Sequence, residues 1–161
     1  MLSDKLIFEM NEQIKYEFFS SHLYLSMAAY CAENDFPGFE KWFIDHAAEE
    51  RTHGMDFYEF LNDRDAKAVF RGFEDPKETF NSLRDVYEYA LEHEKFVTSR
   101  IYKLMDIAQE EKEYASINFL NKYVEEQVEE EALFSGILAR VIKAGDNQGA
   151  LMNIDRQMGS E

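Results

Sequence analysis

The sequence is poor in the residues that turns, disulfides and sulfur-ligated metal sites require. Its 161 residues include one cysteine, two prolines and seven glycines. The lone cysteine, Cys31, excludes a disulfide framework within the chain and any zinc or iron–sulfur cluster built from several cysteines. Sandwiches, barrels and glycine-rich nucleotide loops need more turn residues, so the composition favours long helices. The length suits one domain with its own core, and we predict a single domain over residues 1–161.

Positive charge is also scarce, with 17 Lys and Arg residues against 33 Asp and Glu residues and a net charge of −16. Because no stripe of Lys and Arg is present, nucleic-acid binding is excluded as the main function. No segment approaches the roughly 20 apolar residues of a membrane helix. The charged first turns contain no apolar core of signal-peptide length. We therefore expect a cytoplasmic protein that binds no membrane and whose acidic surface suits cations.

Apolar residues recur at helical spacing in four long segments, which predicts four long helices. In the first segment the apolar stripe passes through Leu6, Met10, Ile14 and Leu25. A weaker, shorter pattern follows the fourth segment. The predicted helices run from about Asp4 to Glu33, Phe39 to Asn62, Ser82 to Gln109, Tyr114 to Ala144 and Gln148 to Gln157.

The connections between these segments predict the topology. The turns near Asp35 and Lys112 are short, so each joins two antiparallel neighbours. The stretch from Arg64 to Phe80 has no helical period. At about 3.3 Å per extended residue it is long enough to run along a helix of roughly 40 Å. The predicted fold is all-α, an antiparallel four-helix bundle with one long crossover and a short C-terminal fifth helix.

Polar side chains interrupt the apolar stripe of every long helix. They share one spacing, because a shift of 77 residues carries the set of the first two helices onto the set of the last two. The same shift relates the two short turns. In antiparallel hairpins, equal distances from the turns place all these side chains within about one helical turn of the same depth. The residues are Glu17, Glu50 and His53 in the first hairpin and Glu94, Gln127 and Glu130 in the second.

A buried layer of carboxylates needs a cation to balance it. Carboxylates that lie close together raise one another's pKa, and an uncompensated buried carboxylate destabilises the fold. No Lys or Arg lies on the stripes near this depth, so a metal is the predicted counter-charge. Oxygen-rich ligands with one imidazole suit iron or manganese. The di-iron carboxylate pattern has two Glu-x-x-His motifs, of which Glu50–His53 is intact, whereas the second reads Gln127–Glu130.

Two other functions share parts of this pattern. A di-iron or di-manganese redox enzyme of small oligomeric size, with an open substrate pocket and no storage role, would use the same ligands. A structural bundle in which the polar layer only sets helix register would bind no metal. Tyr24 lies two turns after Glu17 on the same face. It either supplies an electron or a hydrogen bond to the site or is a core aromatic residue.

The sequence resembles the ferritin family, and specifically the bacterial non-haem ferritins, over nearly its whole length. The resemblance rests on Glu17, Tyr24, the run Glu49–His53, Glu94 and the run Glu125–Glu130. It implies a ferritin-like fold and a homo-oligomer of 24 subunits that forms a hollow cage. It also implies ferroxidase activity, in which dioxygen or peroxide oxidises Fe(II) at an internal di-iron centre and ferric mineral is deposited inside the cage.

The resemblance also divides the ligands among iron sites. It implies that Glu17, Glu50 and His53 hold one iron, with Glu50 bridging to the second. The second iron is implied to bind Glu94 and Glu130, and Gln127 is implied to hydrogen-bond beside it. A third iron site is implied at Glu49, Glu126, Glu129 and Glu130, for which the alternative is a solvated acidic face.

Two departures from related families narrow these expectations. Bacterioferritins keep a second Glu-x-x-His motif and carry a haem-ligand methionine just before the first His. This chain has Glu130 and Thr52 at those positions, so we expect no haem and a less symmetric centre.

The remaining histidines are expected at the surface or the core boundary, and His46 among them lies one turn before Glu50. These are His22, His46 and His93.

Overall fold

The computed structural model describes residues 1–161 and consists of five α-helices without a β-strand. The first helix packs mainly against the second, the third against the fourth, and the fifth against the second. The predicted fold class is confirmed, and every helix end lies within two residues of its predicted position. The helices are α1 (Asp4–Glu33), α2 (Pro37–Asp63), α3 (Leu83–Glu110), α4 (Tyr114–Ala144) and α5 (Gln148–Gly159).

The 77-residue repeat is visible in the backbone of the two short turns. Asp35 and Lys112 both have left-handed backbone conformations, with φ of 60° and 53°. After each of them an amide closes the turn by donating to a carbonyl five residues earlier. Phe36 N donates to Cys31 O at 2.9 Å, and Glu113 N donates to Ala108 O at 2.8 Å. The two hairpins therefore turn in the same way, as their equal spacing predicts.

The crossover between α2 and α3 runs along α1. In the first half of α1, the side-chain Nδ2 of Asn11 donates to Lys67 O at 3.0 Å. The side-chain Oδ1 of Asn11 accepts a hydrogen bond from Val69 N. Fifteen residues further along α1, Ser26 Oγ donates to Lys77 O at 2.6 Å. These contacts satisfy backbone groups of a segment that has no secondary structure of its own. The long crossover predicted from the sequence is present.

The core is divided into two apolar clusters. Along α1, residues up to Ile14 belong to one cluster and residues from Leu23 onward belong to the other. The same division occurs in the other long helices. Between the clusters lies the polar layer, which includes the buried residues Glu17, Glu50 and Glu94. The apolar clusters on both sides stabilise the fold by roughly 1.5–3 kcal/mol for each large side chain they bury, which offsets the cost of burying carboxylates.

Leu25 does not belong to the core stripe of α1, and its predicted place there is wrong. It is 45% exposed, whereas Met10, Glu17, Tyr24 and Cys31 are buried. Each of these four buried residues follows the previous one by seven positions. Helices that pack in a left-handed bundle present a seven-residue repeat to their neighbours, and an eleven-residue step from Ile14 to Leu25 drifts off that seam.

An ion pair ties the two hairpins together at one end of the bundle. Arg64, at the end of α2, donates two hydrogen bonds to Glu113 at 2.8 and 3.0 Å. Glu113 also caps α4 by accepting from Ser116 N at 2.8 Å. The Arg64 guanidinium lowers the pKa of Glu113 to about 2.

No helix in the chain combines the length and the apolar character that membrane crossing requires.

Candidate metal centre

Three of the predicted ligands meet between α1 and α2. The Nδ1 atom of His53 lies 3.2 Å from Glu50 Oε2 and 3.8 Å from Glu17 Oε2. One ligand atom from each of the three residues lies within 4.8 Å of the other two. Gln13 donates to Glu17 Oε1 at 2.9 Å, while Glu17 Oε2 is buried without a hydrogen-bond partner. An unpartnered buried carboxylate oxygen beside an imidazole nitrogen is a fitting place for a cation.

The charges of this group shift its pKa values in opposite directions. Burial, followed by the nearby charges of Glu17 and Glu94, raises the pKa of Glu50 well above its ordinary value. Burial lowers the pKa of His53, but its contacts with Glu17 and Glu50 outweigh that effect and raise it to about 11. Burial also acts to raise the pKa of Glu17, yet His53 holds it below the ordinary value. In the metal-free protein, the proton on His53 thus serves as the counter-charge.

Glu94 occupies the opposite side of the layer, on α3. Tyr24 donates a hydrogen bond to Glu94 Oε1, and Gln127 Nε2 donates to Glu94 Oε2 at 3.1 Å. Burial raises the pKa of Glu94 to about 7, and the charge of Glu130 acts in the same direction. Burial and then the charge of Glu94 raise the pKa of Tyr24, so the phenol keeps its proton and remains a donor. Gln127 therefore lies where a hydrogen-bonding neighbour of the centre was expected.

Glu130 lies at the edge of the layer, and its carboxylate is directed toward a histidine. His46 Nε2 is 2.9 Å from Glu130 Oε2. The expectation of a surface or boundary position is wrong for His46 and for His93, since both are buried. His93 instead hydrogen-bonds Ser20 at 2.7 Å, and burial lowers its pKa to about 4. His22 is exposed, as expected.

The residues predicted for a third iron site surround an open cavity of about 310 Å³ between α2 and α4. Glu49 and Glu129 are exposed, and Glu126 is partly buried. His53 belongs to both groups, because its Nδ1 faces the buried carboxylates while its Nε2 lies 3.2 Å from Glu126 Oε2. The imidazole of His53 therefore separates the buried centre from the acidic cavity.

Three residues contact the predicted ligands in ways that the sequence did not predict. Gln13 lies one turn before Glu17 and is fully buried, so its helical spacing was a usable signal. Thr98 lies one turn after Glu94 and accepts a hydrogen bond from Gln127 at 3.1 Å. The position of His46, one turn before Glu50, indicated that it lies near the layer. Its partner could not be predicted from this spacing, because Glu130 is 84 positions further along the chain.

The chemistry of the donor set indicates which class of metal it would suit. It consists of carboxylates from all four long helices and one imidazole from Glu50–His53. Hard carboxylate oxygens with a single nitrogen favour iron or manganese, while the absence of thiolates disfavours softer metals.

A family model described as Ferritin-like domain matches residues 8–143 of the chain. The chain belongs to the ferritin family. The resemblance read from the sequence is thereby confirmed. Iron storage and ferroxidase activity are general features of ferritins, and iron is the metal that they bind.

Individual relatives support the same assignment. The chain is 41% identical over 160 residues to a bacterial non-heme ferritin of Staphylococcus aureus (strain MRSA252), and the match covers 99% of this chain and 96% of that protein. A bacterial non-heme ferritin of Staphylococcus saprophyticus is 39% identical over the same coverage. Among solved structures, an open pore ferritin from the hyperthermophilic archaeon Archaeoglobus fulgidus is 35% identical. Its TM-score is 0.98, and the match covers 100% of this chain and 99% of that one.

Proposed function

We propose that this chain oxidises Fe(II) at the buried polar layer and stores the ferric product inside a cage of 24 identical subunits. The proposal is carried by one observation, the convergence of the buried residues Glu17 and Glu50 with His53, while Glu94 lies close enough for its charge to raise the pKa of Glu50. In this proposal iron is the substrate and the cargo of the protein.

Two Fe(II) ions bind on the two sides of Glu50. Glu17, Glu50 and His53 hold the first ion, and their ligand atoms are already close together. Glu94 and Glu130 hold the second ion, for which Glu130 turns away from His46. Binding of the first ion releases the proton that His53 holds between the carboxylates, because a ligating imidazole must be neutral. Gln127 and Tyr24 keep Glu94 in place by hydrogen bonds.

Dioxygen or peroxide then accepts one electron from each Fe(II). The carboxylates favour this step because hard, anionic oxygen ligands stabilise Fe(III) more than Fe(II). The Fe(III) product leaves toward the acidic cavity and mineralises. Electron donation by Tyr24 stays a prediction, while its hydrogen bond to Glu94 gives it a positioning role.

The acidic cavity is proposed to hold a third iron at Glu49, Glu126, Glu129 and Glu130. At saturating Fe(II), replacing Glu49, Glu126 and Glu129 together with glutamine should leave the initial rate of Fe(II) oxidation within about twofold of the parent, because the buried ligands remain. Iron stoichiometry and release should change instead, since the third site is lost. Stopped-flow absorbance and iron release to a chelator measure both effects.

A matched control replaces three exposed acids of α3, Glu92, Asp106 and Glu110, with their amides. This variant has the same change in net charge but leaves the acidic cavity intact. If the cavity variant binds and releases iron as the control does, Glu49, Glu126 and Glu129 are only a solvated acidic face.

The residues at positions 52 and 130 bear on haem. Because Thr52 and Glu130 replace the methionine and the second histidine of bacterioferritins, we propose that the protein binds no haem. The cytoplasmic location stays a prediction.

The proposed cage predicts a large particle in solution. Twenty-four subunits of 19.0 kDa give a particle of about 456 kDa, whereas a dimeric redox enzyme would elute at about 38 kDa. Size-exclusion chromatography separates these cases. Aerobic loading with Fe(II) followed by electron microscopy should then show shells filled with dense mineral. A particle near the size of a dimer, or shells that stay empty while Fe(II) is oxidised, would contradict storage.

A further inference from the structure

A second group of metal-ligating side chains lies beside the buried centre. It consists of His46 and Glu49 on α2 and Glu130 on α4, and one ligand atom from each lies within 4.8 Å of the others. We propose that His46 joins Glu49 and Glu130 to bind a divalent cation, at a position that differs from the proposed third iron site by its imidazole ligand. The identity of that cation as Fe(II), held before it enters the di-iron centre, rests on the proposed function, whereas the site itself does not.

The imidazole of His46 is held in one orientation by its neighbours. Its ring stacks on Trp42 with 4.2 Å between centroids and an angle of 22°. The rings of Phe134 and Tyr24 pack against it edge-on at 5.3 and 6.0 Å. His46 is only 7% exposed, and its Nε2 points at Glu130 Oε2, 2.9 Å away. A ligand that is fixed before the ion arrives loses little conformational entropy on binding.

An ion reaches this cluster without crossing the helical core. A cavity of about 330 Å³ opens on one side and is lined by His46, Glu49 and Glu130 together with Asp45 and Glu161. On the other side, Glu49 and Glu130 also line the acidic cavity that reaches His53. The cluster therefore lies between two solvent-accessible spaces, and its carboxylates face both of them.

The composition of the cluster favours a divalent ion. Two carboxylates and one neutral imidazole balance a charge of +2, whereas the four carboxylates of the proposed third site leave an excess of negative charge. Imidazole suits Fe(II) and Zn(II), while hard carboxylate sets favour Fe(III). Because Glu130 is also a proposed ligand of the second iron in the buried centre, one carboxylate would pass the ion from His46 to that centre.

Zn(II), which carries out no redox chemistry, tests the site without involving oxidation. Metal-free parent protein and the His46→Gln variant are titrated with Zn(II) by calorimetry, and crystals soaked in Zn(II) are examined by anomalous diffraction. We expect the parent to show an anomalous peak about 2.1 Å from His46 Nε2. The variant should lose that peak and one equivalent of Zn(II) per subunit, while it keeps the peak at Glu17, Glu50 and His53.

The exposed His22 supplies the control, because His22→Gln also removes one histidine and should bind as much Zn(II) as the parent. Parent crystals with a peak at Glu17, Glu50 and His53 but none at His46 would overturn the inference and leave the proposed function standing. Equal Zn(II) binding by His46→Gln and the parent would do the same, since His46 would then only pair with Glu130. A peak at His46 in a protein that does not oxidise Fe(II) would support the site and contradict the proposed function.

Discussion

Replacing Glu50 and Glu94 together with alanine is expected to lower the initial rate of aerobic Fe(II) oxidation by at least about 100-fold, the upper end of the losses that follow from disturbing the surroundings of a metal ligand. The two carboxylates lie on opposite sides of the polar layer, and Glu50 is the proposed bridge between both irons. Without them neither iron is held close to the other, so the oxidant cannot take one electron from each. Stopped-flow absorbance after mixing with Fe(II) in air measures the rate.

The control for this variant replaces the exposed residues Glu59 and Glu92 with alanine, which removes the same charge from α2 and α3. Size-exclusion chromatography and circular dichroism show whether both variants assemble and keep their helices. An assembled Glu50→Ala/Glu94→Ala variant that oxidises Fe(II) at the rate of the parent would show that the buried layer is not the catalytic centre. That result would favour the register role for the polar layer.

The Glu94→Gln variant is expected to be more stable than the parent in the metal-free state at pH 8, and the difference in stability should be much smaller at pH 5. The pKa of Glu94 is raised from 4.5 to about 7, so folding favours its protonated form. That preference costs nothing below pH 4.5 and grows as the pH rises to about 7, above which the full cost is present. At 1.36 kcal/mol per pKa unit the shift corresponds to roughly 3 kcal/mol, and glutamine removes this cost because it carries no charge.

Thermal unfolding of metal-free protein measures this difference. For a chain of this size, roughly 3 kcal/mol corresponds to an increase in melting temperature of about 6–12 °C at pH 8. Tyr24 can still donate to the glutamine oxygen, and Gln127 can turn its amide oxygen toward the new amide. That turn breaks the donations of Gln127 to Glu94 O and Thr98 Oγ1, so the increase should lie toward the lower end of this range. Glu92→Gln on the exposed face of the same helix serves as the control and should shift the melting temperature little. A Glu94→Gln variant that is less stable than the parent at both pH values would contradict the assigned cost.

These two expectations describe one property of the polar layer. Its carboxylates destabilise the empty bundle because they are buried together, and a bound cation removes that repulsion. The same charges that cost stability in the metal-free state therefore supply the affinity for iron. The apolar clusters on both sides keep the bundle folded while the layer is empty, as the buried side chains of Tyr24 and Phe57 illustrate.

The pattern along the chain was sufficient to predict the helices, their antiparallel turns and the depth of the polar layer. These features depend on spacing within one helix or on distances from a turn, and both are properties of the order of residues. Glu17 and Glu94 illustrate this, because their equal distances from Asp35 and Lys112 predicted that both lie in the layer. The structure places both of them there, buried and close enough to raise the pKa of Glu50.

The contacts between helices were decided only by the tertiary structure. Helical spacing shows which face of a helix is buried but not which neighbour each buried side chain meets, because that depends on how all the helices rotate against one another as they pack. The carboxylate of Glu130 meets His46 for this reason, and Leu25 is turned toward solvent because the bundle packs along the seven-residue seam, outside which Leu25 lies. The amino-acid sequence alone determined that acids would be buried at one depth, whereas packing of α2 against α4 determined which nitrogen faces which oxygen.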